Sequence, residues 1–156
     1  MCKSLHADWI ELFKMQTFLP YPDFKKSAQS LDYRRLQNQI VECHQLLKAL
    51  TSPEPRGWRN HPAALMWKGH EKALAQYAEA CWDEWKNRGY GPDHKSIVKI
   101  REIAQALRST DESPRWIGDE EFHASHRGNL LRKDLAYYSQ YNWTESPDLE
   151  YIWPTP

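Results

Sequence analysis

One face of the first long predicted helix carries polar residues in a spacing that could support chemistry. Four of them recur at three- and four-residue intervals, beside the apolar stripe of the same helix: Arg35, Asn38, Glu42 and Gln45. A carboxylate at such a boundary can transfer a proton or stabilise a developing positive charge. Partial burial would raise the pKa of Glu42 and Arg35 would lower it, and the sequence leaves both directions open. The alternative is an ordinary solvated face of an amphipathic helix.

A second group of candidate residues directly precedes another predicted helix. Arg59, Asn60 and His61 come just before Pro62, a residue favoured in the first turn of a helix. The free N–H groups of a helix N-terminus attract anions, so together with Arg59 they would make a phosphate contact. The alternative is a simple capping turn, with Asn60 or His61 as the cap.

The most basic short segment of the chain is "FHASHRGNLLRK", residues 122–133. Its candidate nucleic-acid contacts are His123, His126, Arg127, Asn129, Arg132 and Lys133. The cations suit phosphates, and the amide of Asn129 suits a base or sugar edge. Two histidines at i and i+3 can also ligate a metal, but no cysteine lies close and no HExxH pattern occurs. We therefore expect no metal site, and a structural role for one of the histidines.

Apolar periodicity predicts a mainly α fold, a single compact helical domain without strands. Pro20 and Pro22 predict an extended segment, followed by a long helix from a cap at Ser27 to about Leu50. A second long helix is predicted from Pro62 to a C′ glycine at Gly89. The inward-facing positions should be Leu36, Ile40, Cys43, Leu47 and Leu50, then Leu74, Tyr77, Cys81 and Trp85, then Ile97, Ile100, Ala104 and Leu107.

The last third of the chain is predicted to hold a helix capped by Asp119, with Gly128 as a weak point. Proline-rich loops connect the elements, and an aromatic, proline-rich tail should lie extended across the surface. We expect residues 15–156 to form one domain, preceded by an extension of residues 1–14.

Composition limits the classes of function. The 156 residues carry 21 basic and 21 acidic side chains, so the formal net charge is zero. That balance argues against broad, nonspecific binding of nucleic acid, although a local basic face is compatible with it. Eight tryptophans and eight tyrosines can serve a core or stack on bases. Three distant cysteines, no apolar stretch long enough to span a bilayer and no secretory signal favour a cytoplasmic monomer.

Several blocks of the chain, taken in order, resemble the pyrimidine dimer DNA glycosylase family. They are "MQTFLPYPDF", "LDYRRLQNQIVECHQLLKAL", "GWRNHPAALMWKGHEKAL", "EWKNRGY", "FHASHRGNLLRKD" and "YYSQYNW…YIWP", over about residues 15–154. The resemblance implies a compact helical enzyme that acts on damaged duplex DNA without a cofactor. It implies that an N-terminal amine attacks C1′ of the damaged nucleotide, forms a Schiff base, and cuts the strand by β-elimination. It also implies an essential glutamate, which the blocks align with Glu42.

Two departures from the family pattern bear on this activity. Fourteen residues precede Met15. If translation begins at Met1, the free amine belongs to Met1 or, after processing, to Cys2. If translation begins at Met15, the amine belongs to Met15 itself, because the bulky Gln16 disfavours removal of the methionine. Ile40 occupies a position where relatives often carry a basic residue. The resulting hypothesis is a DNA glycosylase, with or without lyase activity, for damaged or modified bases. The alternatives are a non-catalytic DNA- or protein-binding module on the same scaffold and an enzyme for modified nucleotides.

Overall fold

The regular elements of the protein are helices, as the sequence predicts. The structure, a computed structural model, describes residues 15–53, 57–91, 94–108 and 113–155, and within those ranges it contains no strand. The predicted extension of residues 1–14 lies outside them. The α-helices are α1 (Phe24–Ser30), α2 (Tyr33–Thr51), α3 (Pro62–Trp67), α4 (Glu71–Asn87), α5 (Lys95–Ala106), α6 (Glu120–Lys133) and α7 (Leu135–Tyr138), with 3-10 turns at Gly57–Asn60 and Ser139–Tyr141.

The predicted single helix from Ser27 to Leu50 is two helices, so that prediction is wrong at its N-terminal end. Asp23 caps α1 by accepting a hydrogen bond from Lys26 N, while Asp32 caps α2. Ser27 lies inside α1, where its hydroxyl donates to Tyr21 O at 2.9 Å. The break arises because the Asp32 side chain accepts from the first turn of α2, which favours a new helix start.

The predicted second helix is also divided, into α3 and α4. His61 is the cap of α3, its Nδ1 accepting from Ala63 N at 3.0 Å. Gly69 separates the two helices with φ at +84°, a conformation that strains residues with a Cβ. The C-terminal prediction for α4 is confirmed, since Gly89 follows the cap with φ at +84°.

The core lies where α2 packs against α4 and α5, with α1 on α4. The predicted apolar stripes meet there, and Leu36, Ile40, Leu47, Leu74 and Tyr77 are fully buried. Cys43 and Cys81 are free, buried thiols, as expected. The predicted inward positions Leu50, Ala104 and Leu107 are only partly buried, because each lies near the end of its helix.

Residues 15–19 form an extended segment that is buried by the helices around it. Its backbone bonds to side chains on three helices: Phe18 N to Gln39 of α2, Phe18 O to Tyr77 of α4, and Leu19 N to His126 of α6. An extended segment without a neighbouring strand leaves its backbone groups unpaired, so buried side chains must satisfy them. The segment is therefore part of the core.

The C-terminal tail was predicted to lie extended across the surface. It contains a turn at Pro147 and Asp148 and packs back onto α6. Asn129 Nδ2 donates to Leu149 O at 2.9 Å. A Cβ added to Gly128 would lie 2.5 Å from Ser146 O, so this glycine permits close approach of the tail. Among the described residues, no helix has the length and apolarity that crossing a membrane requires.

Candidate functional site

A cleft of about 870 Å³ opens beside the N-terminal half of α2, where α6 meets α7. It is lined by cations and carboxylates in equal number: Arg34, Arg35, Lys133, Asp32, Glu42 and Asp134. Four of the residues predicted from the sequence line it together, namely Arg35, Asn38, Glu42 and Lys133. The cleft therefore carries mixed charge together with aromatic side chains, and it lies between α2 and the C-terminal end of α6.

Glu42 is partly buried at the inner side of this cleft. Its Oε2 accepts two hydrogen bonds, one from the backbone N–H of Gln16 at 3.3 Å and one from Gln39 Nε2 at 3.0 Å. Neither of these hydrogen bonds goes to Oε1, the other carboxyl oxygen. The carboxyl group is thus held on one side by protein and can use its other oxygen toward the cleft.

The protonation of Glu42 is shifted strongly by its surroundings. Burial raises its pKa to about 8, against the lowering effect of the Gln16 N–H, the Gln39 amide and Lys133. The structure therefore decides the direction that the sequence left open, since burial outweighs the two hydrogen bonds and the charge of Lys133. Near neutral pH, both the neutral and the ionised form of Glu42 are present, which suits a group that transfers protons.

Gln39 is a site residue that sequence reasoning missed. It is fully buried, its Oε1 accepts from Phe18 N at 2.8 Å, and its Nε2 donates to Gln16 O at 2.9 Å. The hydroxyl of Tyr77 lies 2.6 Å from Gln39 Oε1. The sequence did contain a signal for this role, since Gln39 is a polar residue directly beside Ile40 on the apolar side of α2. A buried amide is expected to be hydrogen-bonded, so its position there pointed to specific partners.

Arg35 stands at the mouth of the cleft and is paired. Its Nη1 donates to Asp32 Oδ1 at 3.0 Å, and the hydroxyl of Tyr138 donates to the same oxygen. Burial by itself would raise the pKa of Asp32, but the hydrogen bonds from Tyr138 and Arg35 hold it below its usual value. Asp32 is therefore ionised at neutral pH and holds the guanidinium in position.

Lys133, across the cleft on α6, has a lowered pKa. Burial is the largest cause, and Arg35 and Arg132 add to it, while Glu42 acts in the opposite direction. The cations at this end of α6 therefore repel one another. An anionic ligand in the cleft would relieve that repulsion.

The predicted phosphate site around Arg59 lies outside the cleft. Arg59 is partly exposed and Asn60 exposed, in the 3-10 turn against α2. His61 is buried and caps α3, and its ring meets Trp153 of the tail edge to face. Of the two sequence interpretations, the capping turn describes His61.

Both histidines of the basic segment lie in the core. His123 Nδ1 is 2.8 Å from Leu19 O and its Nε2 accepts from Gly118 N, so the hydrogen belongs on Nδ1. His126 Nδ1 accepts from Leu19 N at 3.0 Å, and burial lowers the pKa of His126 to about 3. Both rings are neutral and hold the extended segment, so the structural role expected of one histidine belongs to both.

Arg127 and Asn129 are also buried and fully engaged with protein. Arg127 pairs with Glu120 and with Glu145 and donates to Pro20 O. Asn129 donates to Ser125 O and Leu149 O and accepts from Arg132. The side-chain atoms of Arg127 and Asn129 that were expected to contact nucleic acid are thus bonded to other parts of the protein.

Arg132 is exposed, but it too contacts the tail. Besides Asn129, its guanidinium donates to Pro147 O at 3.3 Å. In the part of the chain that the structure describes, histidines, cysteines and carboxylates form no group of three that could hold a metal ion.

Comparison with known proteins gives one match. The family model described as pyrimidine dimer DNA glycosylase matches residues 15–98, which is more than half of the chain. The matched region contains Gln16, Gln39, Glu42 and Tyr77, whereas Lys133 lies beyond it. No curated protein and no solved structure gives a significant match.

Proposed function

The chain belongs to the pyrimidine dimer DNA glycosylase family, and from that premise we propose that it excises damaged or modified pyrimidines from DNA with Glu42 as the catalytic carboxylate. The observation that carries the proposal is the position of Glu42. Its carboxyl oxygen lies 3.3 Å from the backbone nitrogen of Gln16, at the inner side of a cleft lined by three cations.

The chemistry required of Glu42 agrees with its surroundings. When the bond between C1′ and the base breaks, the electron pair leaves with the base and positive charge develops on the sugar. An ionised Glu42 stabilises that charge, and its neutral form can deliver a proton to the sugar ring oxygen. A pKa of about 8 keeps both forms available near neutral pH.

The lyase step needs an amine where the structure has a peptide nitrogen. In this chain Gln16 N is an amide, and its lone pair is delocalised into the peptide bond. In a chain form that begins at Gln16, the same nitrogen would be an amine beside Glu42. It would form a bond to C1′ as the bond from C1′ to the base breaks, and give one proton to ionised Glu42. Glu42 would then return that proton to the ring oxygen as the bond between C1′ and that oxygen breaks, which opens the ring and leaves a protonated Schiff base. We propose that only such a form has lyase activity.

The cleft also has the features that an extruded nucleotide requires. Arg34, Arg35 and Lys133 line it and suit phosphates. Tyr33 at its edge stacks on Trp85, with ring centroids 5.4 Å apart, and Trp85 packs on Tyr90 at 4.2 Å. Tyr33 is 48% exposed and Tyr90 37%, which leaves ring faces for an unpaired base.

The test compares two forms of the protein, the full chain and a chain cleaved to begin at Gln16, on duplexes with a pyrimidine dimer or an abasic site. We expect both forms to release the damaged base, and only the shorter form to be trapped on DNA by borohydride. Glu42→Gln should lower base release by about 100- to 1000-fold. Glu102→Gln, which removes an exposed glutamate on α5, is the matched control.

Two outcomes would decide against the proposal. Absence of base release by both forms on every substrate would exclude the enzyme. If both forms nevertheless bind damaged duplex and Glu42→Gln binds equally well, the chain is a DNA-binding module. The cations that line the cleft, Arg34, Arg35 and Lys133, are the observation that favours this second function.

A further inference from the structure

We propose that Gln39 and Tyr77 are positioning residues, which together hold the peptide group of Gln16 against Glu42 and determine which carboxyl oxygen faces the substrate. Their role in catalysis rests on the proposed function. Their role in holding Glu42 does not, and it can be tested separately.

The Gln39 amide can have only one orientation. Its Oε1 lies 2.8 Å from Phe18 N and its Nε2 lies 2.9 Å from Gln16 O. If the amide were flipped, two donors would face each other at Phe18 and two acceptors at Gln16, and both contacts would be repulsive. The donor Nε2 is therefore fixed on the side of Glu42.

Gln39 contacts the extended segment as the N–H and C=O of one residue in a neighbouring parallel β-strand would. It accepts from the N–H of Phe18 and donates to the C=O of Gln16, the two groups that point to the same side of an extended chain. One buried side chain thereby sets the position of the Gln16 backbone, which in turn brings Gln16 N to 3.3 Å from Glu42 Oε2.

Tyr77 supports this arrangement from α4. Its hydroxyl lies 2.7 Å from Phe18 O and 2.6 Å from Gln39 Oε1, so its single hydrogen can go to either acceptor. Burial raises the pKa of Tyr77, so the hydroxyl keeps that hydrogen. When it donates to Gln39, all four hydrogen-bonding positions of the amide are used. The Gln39 amide then has no free hydrogen-bonding position.

The network acts on Glu42 in two ways. The Gln39 N–H on Oε2 stabilises the ionised carboxylate against the effect of burial. Because Oε2 already accepts two N–H donors, the proton of the neutral form belongs on Oε1, the oxygen that can face the substrate. A network that served stability alone would have no effect on the titration of Glu42.

The closing experiment follows the Glu42 carboxyl carbon by NMR in the full-length protein labelled with ¹³C-glutamate, with Glu42→Gln used to assign the signal. In the wild type we expect a pKa of about 8. Gln39→Met, which keeps the length of the side chain and removes its hydrogen bonds, should raise that pKa by about one unit. Gln45→Met, an exposed position on the same helix, should leave it unchanged. An unchanged pKa in folded Gln39→Met would overturn the proposal.

A second variant covers the case in which Gln39→Met does not fold. Tyr77→Phe keeps the buried ring and removes only the hydroxyl, and it should shift the Glu42 pKa in the same direction by a smaller amount, together with the amide signals of Gln16 and Phe18. Tyr90→Phe, at an exposed ring, is its control. If Tyr77→Phe shifts none of these signals, Tyr77 is excluded as a positioning residue.

Base release provides the catalytic readout. Gln39→Met should lower kcat by about 10- to 100-fold with little change in KM, and it should move the limb of the pH–rate profile that reports Glu42 to higher pH. A loss of stability with an unchanged kcat would show that Gln39 has a structural role only. If the wild type releases no base, the proposed function fails, while the titration still tests how Glu42 is held.

Discussion

Helices α2 and α6 both place arginine and asparagine beside carboxylates, but their surroundings differ. On α2, Arg35 and Asn38 line an open cleft together with Glu42. On α6, Arg127 and Asn129 are buried between the extended segment and the C-terminal tail. The same residue types therefore face solvent in one helix and hold the fold together in the other.

The difference follows from what each helix packs against. One apolar face of α2 packs on α4 and α5, which leaves its polar stripe at the edge of the core. Helix α6 is covered on more than one side, and nine of its fourteen residues are buried. Because the segments that cover it are extended and present unpaired backbone groups, its polar side chains serve as their hydrogen-bonding partners. A basic stretch without an apolar stripe can thus indicate burial against extended chain rather than a surface for DNA.

Arg127→Ala should have the largest effect, and it tests whether the polar residues of α6 stabilise the fold. It should lower the free energy of unfolding by about 3–5 kcal/mol, because it leaves Glu145 partly buried without its cation and Pro20 O without its donor. Arg101→Ala removes an exposed pair with Glu79 and should cost less than about 1 kcal/mol. Urea denaturation measures both, and equal losses would show that Arg127 is not a core residue.

Glu42→Gln tests the burial of the carboxylate on α2 through the pH dependence of the free energy of unfolding. Folding raises the pKa of Glu42 from its usual value of 4.5 to about 8. Between these two pH values Glu42 is ionised in the unfolded chain but still neutral in the folded protein. The wild type therefore loses stability as the pH rises through this range. The variant lacks this loss and should be the more stable by on the order of 2–4 kcal/mol at pH 9. Denaturation at pH 4 and pH 9 measures it, with Glu102→Gln as control. A difference that does not grow between these pH values would contradict the raised pKa.

Gly128→Ala tests the packing of the tail on α6. The added Cβ would lie 2.5 Å from Ser146 O, so the tail must move, at a cost of about 1–3 kcal/mol. Gly91→Ala is the matched control, since a Cβ there meets nothing within 4 Å. Thermal unfolding with proteolysis of the tail measures the effect, and a neutral Gly128→Ala would mean that the tail does not pack as described.

The smallest effects concern the cleft. Arg35→Ala and Lys133→Ala should each reduce the slope of log K against log salt for duplex DNA by about one. Lys99→Ala, at an exposed position on α5, should leave it unchanged. Fluorescence anisotropy at several salt concentrations measures the slopes. If the slopes for Arg35→Ala and Lys133→Ala equal that of the wild type, the cleft does not contact phosphates.

Much of the architecture was predictable because it depends on local patterns. The apolar spacing of Leu36, Ile40 and Leu47 predicted the buried face of α2, and Gly89 predicted the end of α4. The helix break before α2 was missed although its cap is local, since the Asp32 side chain accepts from Arg35 N. The hydrogen bond that Tyr138 donates to the same carboxylate comes from more than one hundred residues away and has no local signal.

The candidate site, too, was predictable only where it depends on local spacing. The sequence by itself determined that Glu42 lies beside Arg35 and Asn38 on one helix face, because helical periodicity is a local property. Only the tertiary structure decided that Gln16 contacts Glu42, that Gln39 beside it is fully buried, that the pKa of Glu42 is raised, and that several polar residues of α6 are buried. Burial, and the hydrogen-bonding partners that it requires, depend on segments distant in the chain, and no local spacing encodes them.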